Sequence, residues 1–515
     1  MKFANILSTK ELIQKFETRG VVRSHRTRSI LRSEVMTTQL GFGTYRVHVD
    51  SPEHETSMVV ALQSGVNLID TSSNYGYGGS EELISKVLDK MSKEDSRDSF
   101  IIVTKSGYIQ GALLEQILKL DLEEQAKFEA VKLSENCWHS VHPDILLMQM
   151  EQSLKRMNID ALDVMLLHNP EYFLQDCQKQ GIEQKAAQEV FYARVKKSFL
   201  FLESQVQAKK IKYYGVSSNT LCLDETRYDR VSLSKLNEIA LECAQELYSN
   251  DKHNFQVIQF PCNLFESKGA IDKNNVYQGQ EYTTIELANT LKLDVLFNRP
   301  LNAFHEGRLI RLAQGDYNPD LKYSYEIEQA FKKIDDLENS AQVYFDNHKK
   351  VIGKMREAAR RTGFFEVVKS LPDFVEKCRD NEEYFQMVQT WLWPYISTSL
   401  DCFHKFFEGD EHFDLSQFTN DYLKSFDALE KLIIQRNNQF HVQYNLDPIK
   451  KCLSLDDSIP FSQVSLNILA SLPGKPVVLN GMRDLKWVKD STSILIEDQV
   501  SSSVELLKEI RDSLT

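Results

Sequence analysis

The sequence predicts an α/β fold in which a (β/α)8 TIM barrel carries an inserted all-helical domain between strand 7 and helix 7. Short apolar runs rich in β-branched residues recur eight times along the 515 residues. Amphipathic segments with helical spacing separate most of these runs, and this alternation is typical of a parallel sheet covered by helices. A long helix-like stretch separates the seventh run from the eighth and predicts the inserted domain.

The eight apolar runs are the predicted strands, and each ends in a polar or glycine-rich turn. Eight strand–helix units are the number that closes a barrel of this type, which typically takes about 250 residues. A doubly wound open sheet is the alternative, but the early glycines do not form the Gly-x-Gly-x-x-Gly turn of such folds. The predicted strands are Thr38–Phe42, Val66–Asp70, Phe100–Lys105, Ala161–His168, Ile211–Val216, Phe255–Phe260, Leu293–Phe297 and Pro476–Leu479.

The interval between the last two strands determines the predicted domain organisation. From about 323 to 444, Leu, Phe and Tyr recur at steps of three to four residues with Lys and Glu between them, a pattern typical of packed helices. We therefore predict a basic extension over 1–37, a first barrel part over 38–304 and a helical insertion over 305–459. Strand 8 and the C-terminal helix then complete the barrel over 460–515.

Composition and charge exclude several classes of protein. The net charge of −13 argues against a broad nucleic-acid-binding surface. No apolar run reaches the roughly 18 residues that a membrane span needs. The eight cysteines are scattered without a Cys-x-x-Cys pair, which favours a reduced intracellular compartment. We therefore expect a cytoplasmic protein with neither a nucleic-acid partner nor a membrane partner.

The first residues of the chain differ from the rest in charge. Residues 1–38 hold eight basic and three acidic side chains, a net charge of +5. Two interpretations remain open. A basic leader with Ser and Thr is typical of mitochondrial or plastid import, although the acidic side chains count against it. The alternative is an extension that packs on the barrel.

Four polar side chains follow apolar strands on one predicted rim of the barrel, where barrels of this type place their chemistry. Asp70 ends strand 2, Tyr75 lies in the next loop, Lys105 ends strand 3 and His168 ends strand 4. A lysine beside a tyrosine favours the phenolate and lowers its pKa, and an aspartate keeps that lysine charged. A histidine donor can polarise a carbonyl oxygen. This set predicts proton transfer to a carbonyl oxygen, with the hydride supplied by a cofactor.

The motifs around these residues resemble the aldo-keto reductase superfamily over about residues 38–304 and 460–515. The resemblance implies a barrel that binds NADP or NAD, with NADP slightly favoured, and reversible carbonyl reduction by hydride transfer from nicotinamide. The matching motifs are GFGTYR (41–46), GVNLIDTSSNYGYGGSEELI (65–84), VTKSG (103–107), SLKRMNIDALDVMLLHNP (153–170), YYGVSSN (213–219), IQFPCN (258–263), RPL (299–301) and GMRDLKWVKD (481–490).

The resemblance also implies a role for individual residues. It makes Tyr75 the acid/base, Lys105 and Asp70 its tuning pair, and His168 the donor that orients the substrate. Where the family commonly stacks an aromatic on the nicotinamide, this chain has Asn298. The cofactor-binding residues that it implies are Gly43, Thr44, Tyr45, Asp70, Ser217, Ser218, Gln259, Pro300, Leu301, Gly481, Met482 and Arg483.

The loop after strand 8 is expected to hold the phosphates of the cofactor. The backbone amides of Gly481 and Met482, at the expected helix start, suit an anion, and Arg483 is suited to a phosphate oxygen. The family's usual arginine further into that helix corresponds to Trp487 here.

The loop after strand 3 and the end of strand 4 supply the predicted substrate contacts, Trp138, His139 and Asn169. A metal site is the alternative, because Cys137, His139 and His142 have suitable spacing. No fourth ligand is evident, so we predict no metal.

Two functional hypotheses follow. The first is an NAD(P)-dependent oxidoreductase for an aldehyde, ketone or sugar, in which the loop position of residues 305–459 predicts a lid or recognition element. The second is a catalytically weak or inactive barrel that acts as a binding or regulatory module, with a protein partner bound through residues 305–459.

Overall fold

Eight parallel strands close into a barrel, and they follow one another around it in chain order. The computed structural model describes residues 3–305, 308–348, 366–407, 412–452 and 459–514. The (β/α)8 prediction is confirmed, and the open-sheet alternative is wrong. Every predicted strand lies within two residues of its observed bounds. The barrel strands are Leu40–Gly43 (β1), Leu68–Asp70 (β2), Ile101–Ser106 (β3), Leu162–His168 (β4), Ile211–Ser217 (β5), Phe255–Pro261 (β6), Asp294–Asn298 (β7) and Val477–Asn480 (β8).

The register of the strands brings the polar strand ends to one rim. Gly43 of β1 lies opposite Asp70 of β2, and Lys105 of β3 lies opposite Leu166 of β4. Ser217, the last residue of β5, lies opposite His168, the last residue of β4. Because parallel strands point the same way, these side chains share the carboxyl end of the barrel, where function is concentrated in this fold.

Helices separate the strands along the chain. Several of them start at a recognisable cap, as in Thr283 and Glu286, whose side chains and backbone amides form a reciprocal capping box. The helices of the barrel unit are Ile6–Thr18, Pro52–Gln63, Gly79–Met91, Gly111–Leu118, Leu122–Lys127, Pro143–Met157, Tyr172–Lys179, Gln184–Gln207, Leu233–Tyr248, Lys268–Ile271, Thr284–Thr290, Phe461–Ala470, Leu485–Thr492 and Ser503–Leu514.

Short antiparallel pairs decorate the barrel. The loop after β3 forms a three-stranded sheet, and the loop after β7 forms a hairpin. These strands are Thr27–Ile30 with Val35–Thr38, Tyr108–Ile109 and Val131–Ser134 with Cys137–His139, Asn275–Tyr277 with Gln280–Tyr282, and Asn302–His305 with Arg308–Arg311.

The N-terminal segment folds against the amino ends of the barrel strands. Asp163, near the start of β4, accepts a hydrogen bond from the backbone amide of Ala4 at 2.6 Å. Asp294, the first residue of β7, accepts one from the amide of Leu31 at 2.7 Å. Apolar side chains of the segment join the core inside the barrel. Organellar import therefore gains no support from the structure, because this segment is part of the packed core.

The chain divides into two compact units, Met1–Leu312 with Leu455–Thr515, and Ala313–Ser454. The second unit has its own apolar core, rich in Phe and Tyr. Within it, the buried Glu338 carboxylate accepts a hydrogen bond from the Tyr422 hydroxyl at 2.7 Å. Its helices are Tyr323–Asn347, Val367–Lys377, Asn381–Met387, Trp393–Phe407, Leu415–His441 and Asp447–Cys452, with π-helical turns at Val388–Leu392 and Val442–Leu446.

Among the helices of the described ranges, none combines the length and the apolar character needed to cross a membrane.

Candidate active site

A buried chain of polar groups lies at the carboxyl ends of β2 and β3. The Lys105 ammonium donates to Asp70 Oδ2 at 2.7 Å and to the backbone carbonyl of Thr71 at 2.8 Å. It also lies 3.4 Å from the Tyr75 hydroxyl oxygen. Lys105 has no solvent-exposed surface, so its charge depends on Asp70. The structure thus joins three of the four predicted catalytic side chains in one hydrogen-bonded chain.

A left-handed turn after β2 presents Tyr75 to this chain. Gly76, Tyr77 and Gly78 all have positive φ angles of 54°, 53° and 98°. Two of the three positions are glycine, which adopts this region without strain. The Tyr75 ring consequently folds back, with Lys105 Nζ 4.9 Å from its centroid. The YGYGG sequence therefore forms a tight turn.

The fourth predicted residue, His168, lies beside Tyr75. The two ring centroids are 6.0 Å apart, and His168 Nδ1 is 3.0 Å from the Ser72 hydroxyl oxygen. Burial lowers the pKa of His168 well below its usual value, and the charge of Lys105 lowers it further. The imidazole is therefore neutral at physiological pH.

The pKa of Tyr75 differs from the expectation. Burial raises it above its ordinary value, and the ammonium of Lys105 offsets only part of that rise. For Lys105, burial alone lowers the pKa, but the carboxylate of Asp70 reverses this, so the pKa of Lys105 lies above its usual value. The expected lowering of the tyrosine pKa is corrected accordingly, because removal of the phenol from water outweighs its neighbour's charge.

The residues predicted to hold nicotinamide form a second chain that ends on Asp70. Gln259 Nε2 donates to Asp70 Oδ1 at 2.8 Å, and the Ser217 hydroxyl donates to Gln259 Oε1 at 2.9 Å. Asn298 Nδ2 donates to the same Gln259 oxygen at 3.2 Å. Asn298 therefore supplies an amide at the position where aldo-keto reductases commonly stack an aromatic ring. The sequence identified this position but not the hydrogen bond of Asn298 to Gln259.

Loops after β1, β5 and β7 surround the same rim. The Thr44 amide donates to the Asp70 carbonyl at 2.9 Å, and the exposed Tyr45 packs edge-on against Tyr75 with ring centroids 5.1 Å apart. Ser218 is fully buried, and its hydroxyl lies 3.3 Å from that of Thr220. Further positions at this rim are Gly43, whose backbone lies against Asn480, and the buried Pro300 and Leu301.

The loop after β8 differs from the expectation in one respect. The helix begins at Leu485, so Gly481 and Met482 precede it instead of forming its first turn. The Asp484 carboxylate caps this helix by accepting from the Lys486 amide at 2.7 Å. A helix start that is already capped by a carboxylate is a poor anion site, because the cap satisfies the amide.

Two arginines contact Trp487 beside this loop. The predicted residue Arg483 is exposed, and its guanidinium carbon is 5.3 Å from the Trp487 ring centroid. The guanidinium carbon of Arg311 is 4.2 Å from the same centroid. Sequence analysis missed Arg311, because it comes from the hairpin after β7, far from Trp487 along the chain.

Two of the predicted substrate residues, Trp138 and His139, are neighbours on one short strand and face opposite sides of it. Trp138 packs in an apolar cluster with Ile109 and Phe128, away from the four-residue site. His139 faces the other way, and its Nε2 lies 2.7 Å from the carbonyl oxygen of His168. Of these two predicted residues, the structure places His139 on the side of the strand that contacts His168 and places Trp138 on the other, since successive residues of a strand alternate sides.

Asn169 is buried directly after His168, and its Nδ2 donates to the Tyr108 hydroxyl at 2.8 Å. Tyr108 in turn lies 2.8 Å from the Tyr172 hydroxyl. Sequence analysis did not select either tyrosine. Tyr108 follows Lys105 by three residues, and that proximity to a strand end is the signal that could have identified it.

The loop after β3 also holds Cys137, His139 and His142, which have spacing suited to a metal. Cys137 Sγ accepts a hydrogen bond from Gln110 Nε2 at 3.0 Å. Across the described part of the chain, no three His, Cys, Asp or Glu side chains are placed to hold a metal ion.

Comparison with known proteins shows which family part of this barrel resembles. Residues 39–250 match the model of the Aldo/keto reductase family. Over this region, the chain is similar to aldo-keto reductases.

Two bacterial relatives match part of the chain. Aldo-keto reductase YhdN of Bacillus subtilis is 26% identical over 149 residues, which are 28% of this chain and 38% of the relative. NADH-specific methylglyoxal reductase of Escherichia coli is 22% identical over 147 residues, which are 26% of this chain and 39% of the relative. The match thus spans about two fifths of each relative's length.

Solved structures also match. The glycerol dehydrogenase AKR11B4 from Gluconobacter oxydans has 15% identity and a TM-score of 0.45, with 96% of each chain covered. An aldo/keto reductase from Klebsiella pneumoniae, in complex with NADP and acetate, has 13% identity and a TM-score of 0.42, with 94% of each chain covered.

Proposed function

We propose that the chain is an NAD(P)-dependent oxidoreductase that interconverts an aldehyde, ketone or sugar with the corresponding alcohol. The observation that carries the proposal is the buried chain from Asp70 through Lys105 to Tyr75, with the neutral His168 beside it. A fixed proton donor can protonate a carbonyl oxygen as it becomes an alcohol, and a neutral imidazole beside it can donate a hydrogen bond to the same oxygen. The similarity of residues 39–250 to the Aldo/keto reductase family supports the same reaction class.

Tyr75 is the proposed proton donor in reduction and proton acceptor in oxidation. Because burial keeps its pKa high, the phenol carries its proton at neutral pH. The Lys105 ammonium, 3.4 Å away, stabilises the phenolate that remains after the proton leaves. Asp70 keeps Lys105 charged and fixes its position.

His168 is the proposed hydrogen-bond donor to the substrate oxygen. The Ser72 hydroxyl lies 3.0 Å from Nδ1 and 2.6 Å from Asn74 Oδ1, so both compete for its one proton, and we propose the tautomer of His168 that carries the ring proton on Nε2. The neutral imidazole can then donate through Nε2 without first having to bind a proton.

The rim fits a nicotinamide cofactor. Thr44 Oγ1 and Asn298 Oδ1 are buried, and neither has a hydrogen-bond partner within the described ranges. Such atoms suit the polar groups of a bound ligand. Bound NADP or NAD supplies the hydride. NADP is slightly favoured, because Arg311 and Arg483, which both lie on Trp487, offer two guanidinium groups to the additional phosphate of NADP. The proposed cofactor residues are Gly43, Thr44, Tyr45, Asp70, Ser217, Ser218, Gln259, Asn298, Pro300, Leu301, Gly481, Met482 and Arg483.

Residues 305–459 are proposed to be a helical domain inserted into the barrel, which the compact unit Ala313–Ser454 supports. A binding or regulatory role is the second candidate function. Trp393 and Tyr444, which are 55% and 72% exposed, favour a protein partner on this domain. Replacing 313–454 by a short Gly/Ser linker separates the roles. Unchanged kinetic constants would assign the domain a function outside catalysis, and a loss of turnover with cofactor binding retained would assign it to the reaction.

Titration of the purified chain with NADPH and with NADH tests the cofactor proposal, followed by tryptophan fluorescence. We expect one nucleotide to bind at about micromolar Kd or tighter. Oxidation of that nucleotide in the presence of small aldehydes then tests turnover. Absence of binding for both nucleotides would overturn the proposal and favour the binding module.

A further inference from the structure

Two tyrosines and two asparagines form a polar network beside His168. The Tyr108 and Tyr172 hydroxyl oxygens are 2.8 Å apart, and Asn169 Nδ2 donates to the Tyr108 hydroxyl at 2.8 Å. Asn169 Oδ1 accepts in turn from Asn219 Nδ2 at 3.3 Å. The network therefore runs from the loop after β5, through the end of β4, to the loop after β3.

This network has one phenolic proton more than its own hydrogen bonds use. The two phenols carry two protons, and the hydrogen bond between them uses one. Asn169 donates to Tyr108 and takes no proton from it, so the second phenolic proton has no acceptor among the described side chains. Both tyrosines are half-buried, so part of each side chain reaches solvent. One hydroxyl donor is thus available to a ligand.

The two tyrosine hydroxyls keep their protons at all physiological pH values. Burial raises the pKa of both Tyr108 and Tyr172 above the ordinary value for tyrosine. The pair therefore stays neutral and donates a hydrogen bond without giving up its proton. This separates its role from that of Tyr75, whose phenolate is stabilised by Lys105.

The position of the pair relates it to the reacting carbonyl. The Tyr108 ring centroid lies 4.9 Å from that of His168, the proposed carbonyl donor. His139 packs against both tyrosines, with centroid distances of 5.5 Å and 5.2 Å, and holds them on one side of the site. Donors this close together can reach two oxygens of one short carbon chain.

A cleft beside Tyr108 has a matching character. Tyr108 lines it together with the polar Ser73, Asn74, Gln110 and Gln152 and the apolar Ala112 and Leu113, whereas Tyr172 and His168 are not part of its lining. A wall of this kind suits a hydroxylated ligand, because an apolar ligand leaves polar groups without partners.

We propose that the Tyr108–Tyr172 pair is a specificity site that binds a hydroxyl group next to the carbonyl. The favoured substrates are then short hydroxylated aldehydes and ketones. This inference rests on the proposed function, since it presupposes that the site reduces a carbonyl.

Comparison of glyceraldehyde with propanal tests the inference, because the two aldehydes have the same number of carbons and differ in their hydroxyls. We expect wild-type protein to favour glyceraldehyde in kcat/KM. Tyr108→Phe and Tyr172→Phe should each lower kcat/KM for glyceraldehyde about tenfold or more and change that for propanal less than about twofold. Tyr282→Phe is the matched control, because its hydroxyl donates to the side chain of the exposed Gln280 at 2.6 Å, and neither residue belongs to the proposed site.

The outcomes separate the two proposals. Equal losses for both aldehydes in the Tyr108→Phe and Tyr172→Phe variants would overturn the specificity site while leaving the proposed reaction intact. A wild-type preference for propanal would do the same. Turnover of neither aldehyde by wild-type protein with bound NADPH or NADH would overturn the proposed reaction, and the specificity site with it.

Discussion

Glu171 is a fully buried carboxyl group in the loop after β4. Its Oε1 accepts a hydrogen bond from the Asn219 amide at 2.8 Å, while Oε2 has no partner in the described part of the chain. Burial raises the pKa of Glu171 to about 7, and the nearby carboxylate of Asp229 contributes to the rise. The folded protein thus favours the protonated acid, whereas the unfolded chain ionises at the usual value near 4.5.

This pKa makes stability depend on pH in a definite direction. Between about pH 4.5 and 7 the folded state keeps a proton that the unfolded state releases, so the contribution of Glu171 is present below 4.5 and is lost as pH rises through 7. Glu171→Gln should remove about 1–3 kcal/mol of this dependence. Urea unfolding of both proteins across that range measures it. Parallel curves for wild type and variant would show that Glu171 is not the titrating group.

Sequence reasoning identified Asp70, Lys105 and His168 because each is a polar residue at the end of a continuous apolar run. Their strands are neighbours in the barrel, so their proximity follows from topology alone. Asn298 ends β7 in the same way, and the sequence analysis singled it out, whereas Tyr108 lies in the loop after β3 and has only its proximity to Lys105 as a signal. The contacts of Tyr108 depend on how this loop folds over the rim, which periodicity does not encode.

The turn over Tyr75–Gly78 positions the proposed proton donor at the scale of one element. Gly78 has φ of 98°, and a Cβ there would lie 2.6 Å from Arg156 Cδ. Arg156 in turn forms an ion pair with the buried Glu81, and its Nε lies 2.7 Å from a Glu81 carboxylate oxygen. A side chain at position 78 must therefore strain the turn and displace Arg156 from its partner.

We expect Gly78→Ala to lower both the stability and the turnover of the protein. The backbone conformation costs about 1 kcal/mol, and disturbance of the buried ion pair adds to that. Gly181→Ala is the matched control, because its φ of 71° imposes the same backbone cost with no atom within 4 Å of the added Cβ. Thermal unfolding and kcat separate the two variants. Equal effects in both would mean that the contact with Arg156 has no consequence.

Elements differ in how far the sequence predicts them. The barrel strands are apolar on both faces, so their bounds could be read within two residues. The helix after β8 starts later than expected because Asp484 provides its cap. The paired strands of the decorating sheets have two to four residues, too few to show an alternating pattern.

At the scale of the whole molecule, the N-terminal segment completes the barrel core. Asp163 and Asp294 are buried at the amino ends of the strands, and both accept hydrogen bonds from this segment. Asp163 also accepts from the Ile102 amide at 2.8 Å and pairs with Arg97. The N-terminal segment thus supplies hydrogen-bond donors to the buried carboxylates of Asp163 and Asp294.

Removal of residues 1–37 should destabilise the barrel strongly. Two buried carboxylates lose partners at about 1–3 kcal/mol each, and apolar core surface becomes exposed to water. Lys15→Ala serves as the control, because it removes only the half-exposed ion pair with Asp95 and should cost less than about 1 kcal/mol. Urea unfolding measures both. A truncated chain as stable as wild type would contradict the structural role of the segment.

The closed barrel also follows from features visible along the whole chain. Eight apolar runs, the last of them after a long helical interval, predict strands that meet in chain order, and the structure has this order. The antiparallel contacts of the N-terminal segment were not predictable in the same way. Its two short strands pair with each other, and its anchors lie on residues more than 150 positions away.

Tyr75→Phe tests the central claim most directly, because it removes the proposed proton donor and keeps the ring. We expect the variant to bind NADPH or NADH within about threefold of wild type in Kd and to lose at least about 100-fold in kcat for carbonyl reduction. Tyr282→Phe is the control, since its hydroxyl donates to the exposed Gln280 at 2.6 Å and Tyr282 is not among the proposed site residues. Turnover by Tyr75→Phe within about threefold of wild type would contradict the account.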